Sequence, residues 1–171
     1  MSQRNTPSEP VRLEVEVLND TIDAGNDRTM TDPYDLNRFV DAQVENYHTA
    51  LAELRAGQKR THWMWYVLPQ IGGLGHSSMS VRYAIRGADE ARAYLNHPTL
   101  GPRLIECAEA VLAVENRTAT QIMGSPDDIK LRSCATLFSI VSQEDGSVFQ
   151  HILDKYYSSE RDSRTLERLA K

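Results

Sequence analysis

The sequence predicts an all-α protein: a single compact multi-helix domain with uneven helix lengths, not a simple up-down bundle. Three observations predict it. Apolar residues recur at helical spacing in segment after segment, helix-start signals precede several of those segments, and no convincing run of strands separates them. No repeat of about 20–50 residues is apparent, which argues against a solenoid.

The first 29 residues are polar and acidic, with one alternating stretch at Val11, Leu13, Val15 and Val17. That alternation is compatible with an edge strand, but a short strand without a partner does not offset its ordering entropy. Residues 1–31 are therefore expected to be a disordered acidic extension, with Met30 as an alternative translation start and 32–171 as the helical domain. Asp32 is expected to N-cap the first helix, with Pro33 at its first position and Asp35 facing the helix dipole. Leu36, Phe39, Val40, Val44, Tyr47, Leu51 and Leu54 then follow helical spacing, and Gly57 ends a helix of about 22 residues.

Residues 62–68 read as two turns of buried helix stopped by Pro69. Short helices are expected over Ser80–Arg86 and Ala88–Leu95, separated by Gly87. Gly101-Pro102 starts another, with Leu104, Ile105, Ala108, Val111 and Leu112 on one face. Thr118 to Gln121 is a capping box before Ile122 and Met123. Ser125 is read as a cap, with Pro126 at the first helical position and Asp127 and Asp128 facing the dipole. The helix they open runs to about Ser142, and its apolar residues surround it almost completely, so it is expected to be central. Val148, Phe149, Ile152, Leu153 and Tyr156 form the next amphipathic helix, and Asp162 caps a last one carrying Leu166 and Leu169.

The net charge is −5 over 171 residues. Residues 1–32 hold seven acids against three arginines, so the remaining 139 residues hold 17 acids and 16 bases. A nearly neutral body has no basic stripe with which to displace nucleic-acid counterions, so nucleic acid is not an expected partner. No apolar run is long enough for a membrane helix, and no secretory signal is visible. Two cysteines, Cys107 and Cys134, are too few for a disulfide scaffold and fit a reducing cytoplasm. The oligomeric state is not encoded in any feature of the chain.

The richest stretch for chemistry runs from Thr61 to Ser78. It holds both tryptophans, Tyr66, His62 and His76, then Gly72, Gly73 and Gly75. Glycines leading to Ser77 and a helix resemble an anion cradle, although no strand precedes them and neither the dinucleotide fingerprint nor the P-loop applies. A tight connection using glycine's positive φ is the plainer reading. Trp65 and Tyr66 could stack on a planar ligand, with His62 or Gln70 as polar contacts, whereas Trp63 and Met64 are expected in the core.

Lys130, Ser133 and Cys134 share one side of the central helix. Lys130 is a candidate for an anionic group or for proton handling, against the plainer reading of an exposed first-turn lysine. The five histidines make no HExxH and the cysteines no CxxC, so neither a metal nor another cofactor is expected. No G-x-S-x-G elbow is present. The candidate residues are thus His62 and Lys130 for chemistry, and Trp65, Tyr66, Gln70, Gly73, Gly75, Ser77 and Ser133 for binding. The expected partner is a small anionic ligand, nucleotide-like or phosphorylated. The alternative is an interaction or structural domain whose motif residues serve packing.

Several blocks, taken together and in order, resemble the bacterial domain of unknown function family 1810. They are Leu36-Asn37-Arg38-Phe39, His62 to Gln70 with Gly73-Leu74-Gly75, Glu90 to Leu95, His97 to Leu104, Asp128 to Leu131, Thr136-Leu137-Phe138 and Asp162 to Leu166. The resemblance covers about residues 33–169 and implies an all-α domain. It implies no activity and no catalytic residue. The label calpastatin, carried by some members, belongs to a flexible inhibitor chain and does not suit capped helices with tryptophan-rich packing.

Overall fold

Asp32 starts the helical body by a route that its sequence position does not suggest. In the computed structural model, which describes residues 31–142 and 145–171, the first helix α1 is Asn37–Arg55 rather than beginning at Pro33. Asp35 has φ +52, a left-handed conformation that a helix cannot continue through. The Asp32 carboxylate reaches across this turn and accepts the N–H groups of Leu36 (2.8 Å) and Asn37 (2.9 Å). It thus still satisfies orphan donors at the helix start. Residues 1–30 of the expected extension, including the Val11–Val17 alternation and Met30, lie outside the described residues.

Along α1, Phe39, Tyr47, Leu51 and Leu54 are buried as their spacing predicts, but Val44 is exposed. Gln43 takes the inward position instead. Its amide donates to the Tyr66 carbonyl (2.7 Å) and the Tyr94 hydroxyl (3.1 Å), which makes its burial tolerable. The short helix α2 (Met64–Val67) follows. Helix α3 covers Ser78–Arg82, earlier and shorter than the expected 80–86, because Ser77 caps it by accepting the Ser80 N–H. Beyond Tyr83 the chain extends: Gly72 N–H donates to the Ile85 carbonyl (2.8 Å) and Ile85 N–H to the Gln70 carbonyl (2.9 Å). That parallel Ile71–Ile85 bridge is the sole β-pairing among the described residues.

Helices α4 (Ala88–Asn96) and α5 (Leu100–Ala113) meet at Gly101, where a Cβ would stand 1.9 Å from the Leu95 carbonyl oxygen. Only glycine fits that approach. The His97 ring caps α5, its Nδ1 accepting the N–H groups of Thr99 (3.1 Å) and Leu100 (3.2 Å). The capping box of Thr118 and Gln121 opens α6 (Ala119–Met123) as predicted.

Helix α7 is Asp127–Val141. Ser125 does not cap it: Pro126 occupies the N-cap position after a cis Ser125–Pro126 peptide, and Asp127 and Asp128 form the first turn. Nor is α7 covered all round, since Ile129 and Ile140 are exposed. It is central nonetheless, packing against α4, α6, α8 (Val148–Tyr157) and α9 (Ser163–Leu169). Its exposed N-terminal flank is where the cleft opens. Asp162 caps α9 through the Thr165 N–H (2.8 Å), and Leu166 stays at the surface.

The nine helices of the described residues enclose a core centred on Trp63, Phe39, Tyr94 and Phe138. Phe39 meets Tyr94 edge-on at 5.0 Å between ring centroids, and Phe138 packs 5.5 Å from Phe149. Such offset and edge-on contacts add to the area these rings bury. Arg38 is buried with Glu90 at 2.6 Å and donates to the carbonyls of Tyr34, Asp35, Arg82 and Ala84. It thereby ties the entry to α1, the end of α3 and the start of α4 together. Among the described residues, no helix is long and apolar enough to cross a membrane.

Candidate functional site

The site is built outward from Glu53. Its carboxylate accepts the N–H groups of Arg60 (2.9 Å) and Thr61 (3.1 Å), the Thr61 hydroxyl (2.9 Å) and the Trp63 indole N–H (2.8 Å). Burial works to raise this carboxyl, but the four donors outweigh it and hold it below the usual glutamate range. The aromatic segment is thereby fixed to α1, with Trp63 sunk in the core. Trp65, two residues on, points elsewhere along the short helix and comes to the wall of a cleft.

That cleft has a volume of about 540 Å³. One wall carries Trp65, Gln70, Leu74 and the turn Gly75-His76-Ser77 with Ser80. The facing wall is the N-terminal flank of α7, with Pro126, Ile129, Lys130 and Ser133. Asp162 and Arg164, at the start of α9, close the third side. Among the described residues, neither the Gln70 amide nor the Trp65 indole N–H is taken up by a protein partner, and both are part-exposed.

Electrostatically, the cleft is organised by Asp127, which lies behind Lys130. One carboxylate oxygen takes the Lys130 ammonium at 2.8 Å and the other takes Lys59 at 2.7 Å. Lys59 is only 7 % exposed and also donates to the Thr61 carbonyl. Each lysine lies against one tryptophan: Lys59 is 5.0 Å from the Trp63 ring centroid and Lys130 is 5.1 Å from that of Trp65. The result is a continuous chain, Trp63–Lys59–Asp127–Lys130–Trp65, from core to cleft. Desolvation acts to raise the Asp127 carboxyl, but the two ammonium groups prevail and hold it low.

Six of the residues singled out from sequence therefore line one cleft: Trp65, Gln70, Gly75, Ser77, Lys130 and Ser133. Three do not. His62 is exposed outside it, and its carbonyl accepts the Tyr66 hydroxyl (3.2 Å). Tyr66 is buried against Tyr83, with 5.3 Å between centroids. Gly73, at φ +84, turns its carbonyl to Arg168 (3.3 Å), and a Cβ there would lie 2.5 Å from the Arg168 guanidinium carbon. The glycine loop is thus tied to α9 by arginines, Arg164 reaching the Leu74 carbonyl at 3.4 Å. Positive charge in the cleft comes from Lys130 and Arg164, while the α3 N-terminus is occupied by its own cap, Ser77.

Cys134 lies on the core side of α7, and burial pushes its thiol far up. Burial likewise pushes Cys107 up to about 12. Neither is a ready thiolate. Sequence reading missed His76, Asp162, Arg164 and the Lys59–Asp127 pair as site components. Asp127 and Asp162 carried a visible signal, but capping accounted for it. Among the described residues, no group of three or more His, Cys, Asp or Glu side chains is placed to hold a metal ion.

A family model described as "Protein of unknown function (DUF1810)" matches residues 33–169. The crystal structure of the conserved hypothetical protein Rv1873 from Mycobacterium tuberculosis, at 1.38 Å, is similar over 82% of this chain and 99% of that one, with 50% identity and a TM-score of 0.79. No curated protein matches.

Proposed function

The chain belongs to the DUF1810 family, and for this member we propose, from the cleft, that it binds a small anionic ligand bearing a planar ring, of nucleotide-like or phosphorylated type. What supports the reading is one observation: side chains suited to such a ligand, drawn from separate parts of the chain, line the same cleft. The acid group pairs with Lys130 and Arg164. The ring lies against Trp65, Leu74 and Ile129, and the Gln70 amide and the Ser77 and Ser80 hydroxyls read its polar edge. Aromatic stacking contributes roughly 1–3 kcal/mol per ring in comparable sites. A site of this size holds a ligand of nucleotide dimensions.

A thermal-shift screen of the full chain against nucleotides, sugar phosphates and ADP-ribose derivatives tests the proposal. A ligand at 100 times its Kd adds about 2.7 kcal/mol, or roughly 5–10 °C in Tm for a chain of this size. The shift should vanish in Lys130→Met while the unliganded variant still melts cooperatively. No shift across the panel would favour the second reading, a protein-interaction domain. The observation on that side is Ile129, 59 % exposed at the mouth of the cleft.

A further inference from the structure

We infer that Asp127 sets how much negative charge the cleft accepts, and that its ligand carries a single negative charge: a sulfate ester, sulfonate, phosphodiester or carboxylate on a ring. The inference rests on the ligand reading above and deepens it. Lys130 is the cleft's inner cation, and Asp127 already holds it at 2.8 Å. The same carboxylate is divided with Lys59, 2.7 Å away on its other oxygen. Two ammonium groups on one carboxylate leave one positive charge in surplus. On the α9 side, Arg164 and Asp162 line the same cleft and cancel in the charge count without pairing: an Asp162 oxygen accepts the Thr165 N–H and hydroxyl, and Arg164 donates to the Leu74 carbonyl. The acidic, lysine and arginine side chains named here, Lys59, Lys130 and Arg164 against Asp127 and Asp162, therefore sum to one positive charge.

A monoanion balances that surplus. A dianion exceeds that net charge by one, next to two carboxylates, and surplus charge of one sign drawn out of bulk water is costly. Asp127 also positions. Held from below, the Lys130 ammonium stays on the Trp65 ring, where an acid group attached to a stacked ring would meet it. Lys59 is the second control on the same charge. It is buried behind the cleft and does not line it, so its removal changes the field without removing a contact to ligand.

Phenol, phenyl sulfate and phenyl phosphate share a ring and, for the two esters, a tetrahedral acid group. At pH 8 they carry charges of 0, −1 and about −2, since a phosphate ester's second pKa is about 6. Their affinities are measured by tryptophan fluorescence and thermal shift for the wild-type chain, Asp127→Asn and Lys59→Met. Wild type should bind phenyl sulfate most tightly of the three. Removing one charge about 6 Å from the ligand alters affinity per ligand charge by about threefold in water and about a hundredfold at an effective dielectric of about 20. At the intermediate dielectric of about 40 in an open cleft, the factor is about tenfold. Asp127→Asn should therefore raise the phosphate-to-sulfate affinity ratio about tenfold, and Lys59→Met should lower it by a similar factor.

If Asp127→Asn does not fold, the Lys59→Met ratio carries the test alone. Anion binding to wild type with a ratio that neither variant moves overturns the role of Asp127 and leaves the ligand reading standing. Tighter phosphate than sulfate binding by wild type overturns the single-charge assignment. Binding of neither ester above phenol removes the ligand reading, and this inference with it.

Discussion

The Lys130 ammonium stands 5.1 Å from the centre of the Trp65 ring, although the two residues come from opposite walls of the cleft. The contact joins α2 to the first turn of α7, and it leaves an indole face and a cation in one place. Replacing Lys130 by Met should cost about 1 kcal/mol, the size of a part-exposed cation–π contact with its accompanying ion pair. It should also change the emission of Trp65. Urea unfolding followed by fluorescence measures both, and a spectrum identical to wild type would mean that the ammonium does not sit on the ring.

Among the described residues, Arg38 and Glu90 form the most deeply buried ion pair, with side chains 8 % and 1 % exposed. Breaking such a pair leaves an uncompensated charge in the interior. Arg38→Met is expected to destabilise the chain by about 3–5 kcal/mol, read as a lowered denaturation midpoint at unchanged slope. A loss below about 1 kcal/mol would place the pair in solvent.

Gly101 and Gly87 make a contrasting pair. A methyl group at Gly101 collides with the Leu95 carbonyl at 1.9 Å, whereas at Gly87 it meets nothing within 4 Å and the backbone is extended. Gly101→Ala should cost about 3 kcal/mol or more by forcing α4 and α5 apart. Gly87→Ala should be neutral or stabilise by up to about 1 kcal/mol through the unfolded chain. Thermal melts of the two variants side by side decide it, and equal Tm values would contradict the packing.

The pH dependence follows from Glu53 and Asp127, both held below their ordinary range in the folded chain. A depressed folded pKa means that the stabilisation is complete above the unfolded carboxyl value, about 4, and is lost as pH falls through the lower folded value. Acid should therefore destabilise the protein below about pH 4. Glu53→Gln should flatten that dependence and loosen the environment of Trp63, whose indole N–H it accepts. An unaltered acid limb in the variant would remove Glu53 from the account.

Both thiols should be silent in the native state. Cys107 and Cys134 are buried and raised well above neutral pH. An aromatic disulfide reagent at pH 8 is expected to titrate neither until denaturant is added, and then both. Rapid native labelling of one would reveal an opening of the α5–α7 core.

The helices were legible wherever their evidence is local. Thr118 and Gln121 satisfy one another's helix end within a single turn, and Asp162 does the same for α9. Legibility failed where a distant group completes the local structure. The helix predicted from Pro33 is displaced by Asp35, and Gln43 is buried in place of Val44 because Tyr66 and Tyr94, far along the chain, supply its partners. At the site, the sequence singled out Trp65, Gln70 and Lys130 by residue type. Spacing carried no sign that His62 and Tyr66 lie outside the cleft, nor that Lys59 shares the Asp127 carboxylate.

The amino-acid sequence by itself determined the all-α class, the order of the main helices and the burial of Trp63 and Met64, because periodicity, caps and apolar content act over a few residues. Tertiary structure alone decided which polar residues meet. Ion pairing and cation–π contact depend on distances of a few ångströms between segments, and a sequence records no such distance. The chain from Trp63 through Lys59, Asp127 and Lys130 to Trp65 exists only because the segment that carries Lys59 and Trp63, the short helix α2 and the first turn of α7 are brought together by the fold.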